Sequence, residues 1–126
     1  MKKTAINLGL VAIYAVFLIW GSLSPGDTSE MWFPHFDKIL HMGAYAAFAL
    51  ICAPFWWRSE NSLGTTFVIL VLLCLFSGTM EIGQMMVPQR DASWLDMVAN
   101  TLGLIMGWKF SNVIKKARKI RAFVTE

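Results

Sequence analysis

Charged residues are scarce in this chain. Asp, Glu, Lys and Arg make up 15% of it against 56% hydrophobic residues, where a soluble domain runs near a quarter charged. The deficit argues against a water-soluble globule and for a membrane protein. Cysteine is scarce too. Cys52 and Cys74 are the only two, and both lie inside apolar runs, which leaves no disulfide framework and no thiolate metal site. They are expected to be small core or lipid-facing residues. No Gly-x-Ser-x-Gly, P-loop, dinucleotide fingerprint or H-E-x-x-H occurs, so the familiar local signatures of acyl transfer, phosphate binding and zinc hydrolysis are missing. The net charge of +3 does not point to nucleic acid. Six of the eleven Lys and Arg residues fall at Lys109 and beyond, so the excess describes one tail.

What the chain has in quantity is apolar sequence. At 126 residues it is expected to be a single domain. Four apolar runs cover 6–23, 38–57, 64–87 and 94–110, each close to the ~20 residues that cross a ~30 Å hydrocarbon core as helix. The first, preceded by Lys2 and Lys3, has features of a signal peptide. Its length and the three runs after it favour a retained anchor. The expected fold is an all-α integral membrane protein, a bundle of four transmembrane helices followed by a basic tail over 111–126.

Orientation follows from the basic flanks. If the spans alternate, Lys2, Lys3, Arg58, Lys109, Lys115, Lys116, Arg118, Lys119 and Arg121 share one side, and only Lys38 and Arg90 take the other. This bias puts both termini in the cytoplasm. Trp56 and Trp57 are expected to form an inner interfacial belt, with Trp32 and Trp94 as its outer counterpart, and Pro54 to loosen the last turn of helix 2. The basic tail would rest on anionic headgroups.

The polar residues then share the outer leaflet. Residues three or four apart share a helix face, and three stripes result. Asp37, His41, Ala44, Tyr45 and Phe48 form one; Cys74, Ser77, Gly78, Glu81, Gln84 and Pro88 form another; Ser93, Asp96, Asn100, Gly103 and Gly107 form the third. Tyr14, Leu18 and Gly21 make a weaker fourth, and Lys38 lies about 100° off the first. Each feature has a plain structural explanation. Ser93 and Asp96 fit a capping box, Asp37 fits an N-cap, Asn100 fits interhelical glue, and Gly103-x-x-x-Gly107 fits close helix packing. Glu81 fits none of these. A carboxylate about two turns deep is costly unless paired or protonated, and marks a functional site by default.

At these residues the chain resembles the VanZ-like family of small bacterial membrane proteins. The matching pieces are Ser22-Leu-Ser-Pro25, Asp37-Lys38-x-x-His41-x-x-x-Tyr45, Glu81-x-x-Gln84, Arg90, and Asp96-x-x-x-Asn100-x-x-Gly103 with Gly107. They run from about Tyr14 to Gly107, and their order and spacing are more specific than any one piece. The first helix and the basic tail carry no family pattern. The resemblance implies a polytopic membrane protein in a family named for a member that accompanies glycopeptide resistance and lowers sensitivity to teicoplanin. It supplies a process, the cell-envelope antibiotic response, and not a reaction.

Three functions compete. The first is a non-enzymatic protein whose outward pocket binds an anionic or polar lipid-linked envelope precursor, or the lipoglycopeptide itself. The ligand would meet Asp37, Lys38, His41, Tyr45, Glu81, Gln84, Arg90, Asp96 and Asn100, with Arg90 and Lys38 supplying positive charge. The second is an intramembrane enzyme on a lipid-linked substrate, with Asp37 orienting His41 as base and Glu81 as acid. A metal held by His41, Asp37 and Asp96 is a weaker variant of it, since that set lacks a metal-ligand spacing, and no metal or cofactor is expected. The third is a small proton-coupled transporter using the acids as relay groups, for which four spans would call for a homodimer.

Overall fold

Leu, Ile, Ala and Met dominate the apolar runs and favour helix, and three of the four prolines (Pro25, Pro34 and Pro88) fall between the helices. In a computed structural model that describes residues 2–25, 35–88 and 93–124, the elements are α1 (Lys2–Leu23), α2 (Phe36–Arg58), α3 (Ser62–Gln84) and α4 (Trp94–Val124). The helices run alternately up and down. Asn7 lies beside Arg58 and Lys115 Nζ donates to the Trp57 carbonyl at 3.3 Å at one end. At the other, Leu23 lies against Gly83 and His41 meets Asn100.

The boundaries depart from the apolar runs where polar groups are helix-compatible. Asn61 caps α3, its Oδ1 accepting from the Gly64 amide at 3.1 Å. That helix closes at Gln84 rather than 87, and Met85, Met86 and Val87 donate to carbonyls three residues back in a 3₁₀-like turn before Pro88. The largest difference is in α4, which has 31 residues and continues through the basic segment to Val124. The segment expected as a tail is thus mostly helix, because nothing after Gly107 is glycine or proline and Lys, Arg and Ala are strong helix formers. Pro54 does not end α2, which continues to Arg58.

Lys2–Leu23, Phe36–Arg58 and Ser62–Gln84 are long and apolar enough to cross a membrane. The fourth helix falls short of that measure because Asp96, Asn100 and Lys109 interrupt its apolar half. Its polar stripe is turned inward: Asp96, Asn100, Gly103, Gly107 and Ser111 are all buried. Gly103 and Gly107 let α4 lie directly on the α2 backbone at Met42 and Ala46.

The core is built around α2, where Tyr45, Phe48, Ala49, Cys52, Ala53 and Trp56 join Leu18, Leu73 and Leu104. Phe48 packs against Tyr14 and Phe76 at ring-centroid distances of 5.5 and 5.7 Å, and the Tyr14 hydroxyl donates to the Ala44 carbonyl at 3.0 Å. Cys52 is buried, Cys74 is half-buried, and both are free thiols. The tryptophans correct an expectation. Trp56 does not face outward as a belt residue would: it is 1% exposed, because α2 turns it toward the other helices. Trp57 lies under the Arg118 guanidinium at 5.5 Å, and Trp94 is exposed. Trp32 lies outside the described residues. In α1 only Leu18 is buried, and its apolar exterior requires an apolar surround.

Candidate functional site

The start of α2, the end of α3 and the start of α4 meet at one end of the helices. Three stripes expected to converge do so. His41, one turn and a half into α2, brings Nδ1 to 3.1 Å from Asn100 Oδ1 on α4. Asn100 Nδ2 donates to Ser77 Oγ at 2.7 Å and to Glu81 Oε1 at 3.4 Å, both on α3. His41 Nδ1 is itself 4.0 Å from Glu81 Oε1. Asn100, 1% exposed, therefore ties the three helices together.

With Glu81 ionised, the hydrogen bonds select one tautomer. A carboxylate only accepts, so Asn100 must present its amine to Glu81, and its carbonyl oxygen then faces His41. A bond between that oxygen and His41 Nδ1 requires the proton on Nδ1, which leaves the Nε2 lone pair available in the neutral ring.

Lys38 is the second junction. From its off-stripe position it reaches sideways, and Nζ lies 2.5 Å from Asp37 Oδ2 and 2.5 Å from Asp96 Oδ1. The plain structural explanation of Asp37 as an N-cap therefore does not hold. That position belongs to His35, whose side chain caps nothing. The capping box at α4 is half formed: the Leu95 amide donates to Ser93 Oγ at 3.2 Å, while the Asp96 carboxylate is turned to Lys38 instead of back to Ser93. The pull of a nearby ammonium on a buried acid exceeds that of one backbone amide.

Glu81 remains the most demanding group. It is 4% exposed, and Oε2 has no hydrogen-bond partner among the described residues, although the Ser93 backbone amide approaches the carboxylate. Gln84 is buried one turn further on. Tyr45 is buried deeper, with Ser77 as the polar neighbour of its hydroxyl. Of the sequence-derived candidates, Asp37, Lys38 and Asp96 form one bonded group and His41, Asn100 and Glu81 another, side by side at the same end of the helices. Tyr45 and Gln84 line the same stripes, and Arg90 lies outside the described residues. Ser77 was missed as a site residue, although it sits one turn before Glu81 on the same face, which was the available signal.

An all-helical chain with three membrane-length apolar helices and a buried polar junction at their ends is a helical membrane protein with a polar site among its helices. The family follows from the whole sequence: the VanZ/LLP1 family profile matches residues 2–115, and the chain belongs to that family. The match takes in the first helix, which carried no recognisable family pattern by itself. Neither a curated protein nor a solved structure matches the chain.

Proposed function

We propose that the chain crosses the membrane four times with both termini cytoplasmic, and that the junction of α2, α3 and α4 opens on the outer leaflet and binds the polar head of a lipid-linked envelope ligand. The single observation behind this is the Glu81–Asn100–His41 chain. Its members come from three helices, and Glu81 Oε2, buried, is its one acceptor without a hydrogen-bond partner among the described residues. An acceptor held that way suits hydroxyl or amide donors of a headgroup better than it suits folding. Lys38, held between two carboxylates, has no charge to spare for an anion, so any phosphate of the ligand would fall to Arg90. The VanZ/LLP1 family membership supports a role for this binding in the cell-envelope response to glycopeptides such as teicoplanin. The four crossings draw on the charge bias and on the alternating run of the helices, with α4 shielded by its contact with α2.

A second function, an intramembrane enzyme, is favoured by one feature, the Nδ1–H tautomer of His41, whose Nε2 carries the lone pair that a general base needs. Titration of a polyprenyl-linked saccharide into the protein in nanodiscs separates the two. Saturable binding is expected for the wild type. His41→Gln should weaken it about 10-fold, the ~1.4 kcal/mol of one polar contact. Turnover of the saccharide by the wild type, abolished in His41→Gln, would instead establish the enzyme, and no saturable binding would remove both.

Sidedness has its own check. In a cysteine-free background, a cysteine at His35 is expected to react with an impermeant maleimide on intact cells, and one at Glu60 only after permeabilisation. The opposite pattern would invert the topology and move the site to the cytoplasmic leaflet.

A further inference from the structure

A ring nitrogen of His41, a carboxylate oxygen of Glu81 and one of Asp96 all lie within 4.8 Å of one another. Each comes from a different helix, which is why no local spacing betrays them and why Glu81, not Asp37, is the third member. We propose that these three side chains form a site for a divalent transition cation of the Zn²⁺ type.

Three observations carry it. The first is the donor set: one imidazole and two carboxylates is chemistry that selects first-row transition cations over Mg²⁺ and Ca²⁺, which prefer oxygen alone. The second is the unpartnered acceptor. Glu81 is 4% exposed with Oε2 lacking a hydrogen bond among the described residues, and a buried carboxylate oxygen in that state calls for a cation or a donor. The third is charge. Among the described residues, Asp37, Glu81 and Asp96 carry three negative charges and Lys38 one positive, so this part of the cluster, ionised and with His41 neutral, has an excess of two that one divalent cation cancels.

The geometry leaves room for it. Lys38 engages Asp96 through Oδ1, and a carboxylate has acceptor positions on both oxygens to share between an ammonium and a metal. His41 keeps its Nδ1–H bond to Asn100 if Nε2 ligates, the arrangement in which a ligating imidazole is oriented by a carbonyl on its other nitrogen. Bonds of ~2.0–2.1 Å in a tetrahedron put ligand atoms ~3.3 Å apart, so donor atoms that lie within 4.8 Å of one another have to close by at most ~1.5 Å, a shift that side-chain rotation supplies. Three protein ligands leave a fourth position open, as in sites that hold a water or an outside ligand. The inference extends the ligand-binding proposal for this site without depending on it.

The test uses the full chain in nanodiscs, stripped with a chelator and titrated with Zn²⁺ alone by calorimetry. One saturable equivalent is expected. Glu81→Gln and His41→Gln should each weaken it by ~10–100-fold or more, the range that even outer-shell partners produce. His35→Gln, at the exposed second histidine, should leave it unchanged. Co²⁺ bound to the wild type should give visible ligand-field bands that Zn²⁺ displaces, a readout that needs no variant to fold. Absence of saturable binding, binding that survives both substitutions, or binding lost with His35→Gln alone would overturn the proposal. Zn²⁺ binding without saccharide binding would uphold the cation site and remove the lipid-linked ligand; saccharide binding without Zn²⁺ would do the reverse.

Discussion

Lys38→Met is expected to destabilise the protein by about 3–5 kcal/mol, the usual cost of removing one partner of a buried ion pair. The side chain of Asp96 is 7% exposed and that of Lys38 22%, so deleting the ammonium leaves Asp96 charged, nearly dry and without its counter-ion. Asp37, at 36%, is wet enough to lose its partner at little cost. The effect should therefore come almost wholly from Asp96, and Lys38→Met combined with Asp96→Asn should recover most of the lost stability. Asp96→Asn alone should cost less than Lys38→Met, because Lys38 keeps Asp37. Unfolding of the four proteins in one detergent, followed by loss of helicity, provides the numbers. Recovery in the double variant is the expected result; costs that simply add would mean that Lys38 and Asp96 do not meet.

A comparable loss is expected from one methyl group on α4. A Cβ at Gly103 would run into the Met42 carbonyl oxygen, and one at Gly107 into the Ala46 carbonyl oxygen and, at 2.8 Å, the Ala49 Cβ. Backbone cannot move aside as a flexible side chain can, so α4 would have to lift off α2. Overpacking of this kind costs about 1–3 kcal/mol and sometimes more, and here it would also pull Asn100 away from His41. Gly103→Ala and Gly107→Ala should both lower the unfolding temperature, and the double variant should fall furthest. Gly9 and Gly43 have open space where a Cβ would go. Alanine at either should be neutral or slightly stabilising, since it is the better helix former. Equal tolerance at all four glycines would contradict the close α2–α4 contact.

The helices were legible because the apolar runs are long and their period is that of a helix. Three of the four coincide with helices long and apolar enough to cross a membrane. The extension of α4 to Val124 was not legible, because hydropathy reports the lipid and a basic helix emerging from it looks like a tail. The convergence of the polar stripes was legible for a different reason: steps of three and four residues fix a face, and Asp37/His41, Ser77/Glu81 and Asp96/Asn100 each repeat one step of four. Which groups pair across helices was not. That Lys38 belongs to Asp96, and that Asn100 stands between His41 and Glu81, depends on the rotation and crossing of the helices, which no single stripe encodes. The burial of Trp56 fails to show for the same reason. Beside Arg58 it reads as interfacial, yet its neighbours on the face are Cys52 and Ala53, both core residues.

The central claim is that side chains from α2, α3 and α4 meet in one polar network, with Asn100 as its centre. Thermal unfolding of double-mutant cycles pairing Asn100→Ala with His41→Gln and with Ser77→Ala tests it most directly. Coupling of about 0.5–3 kcal/mol is predicted in both cycles, as for residues sharing a hydrogen-bond network. Additivity within about 0.3–0.5 kcal/mol in both would mean that the three helices do not meet at Asn100, and would contradict the site.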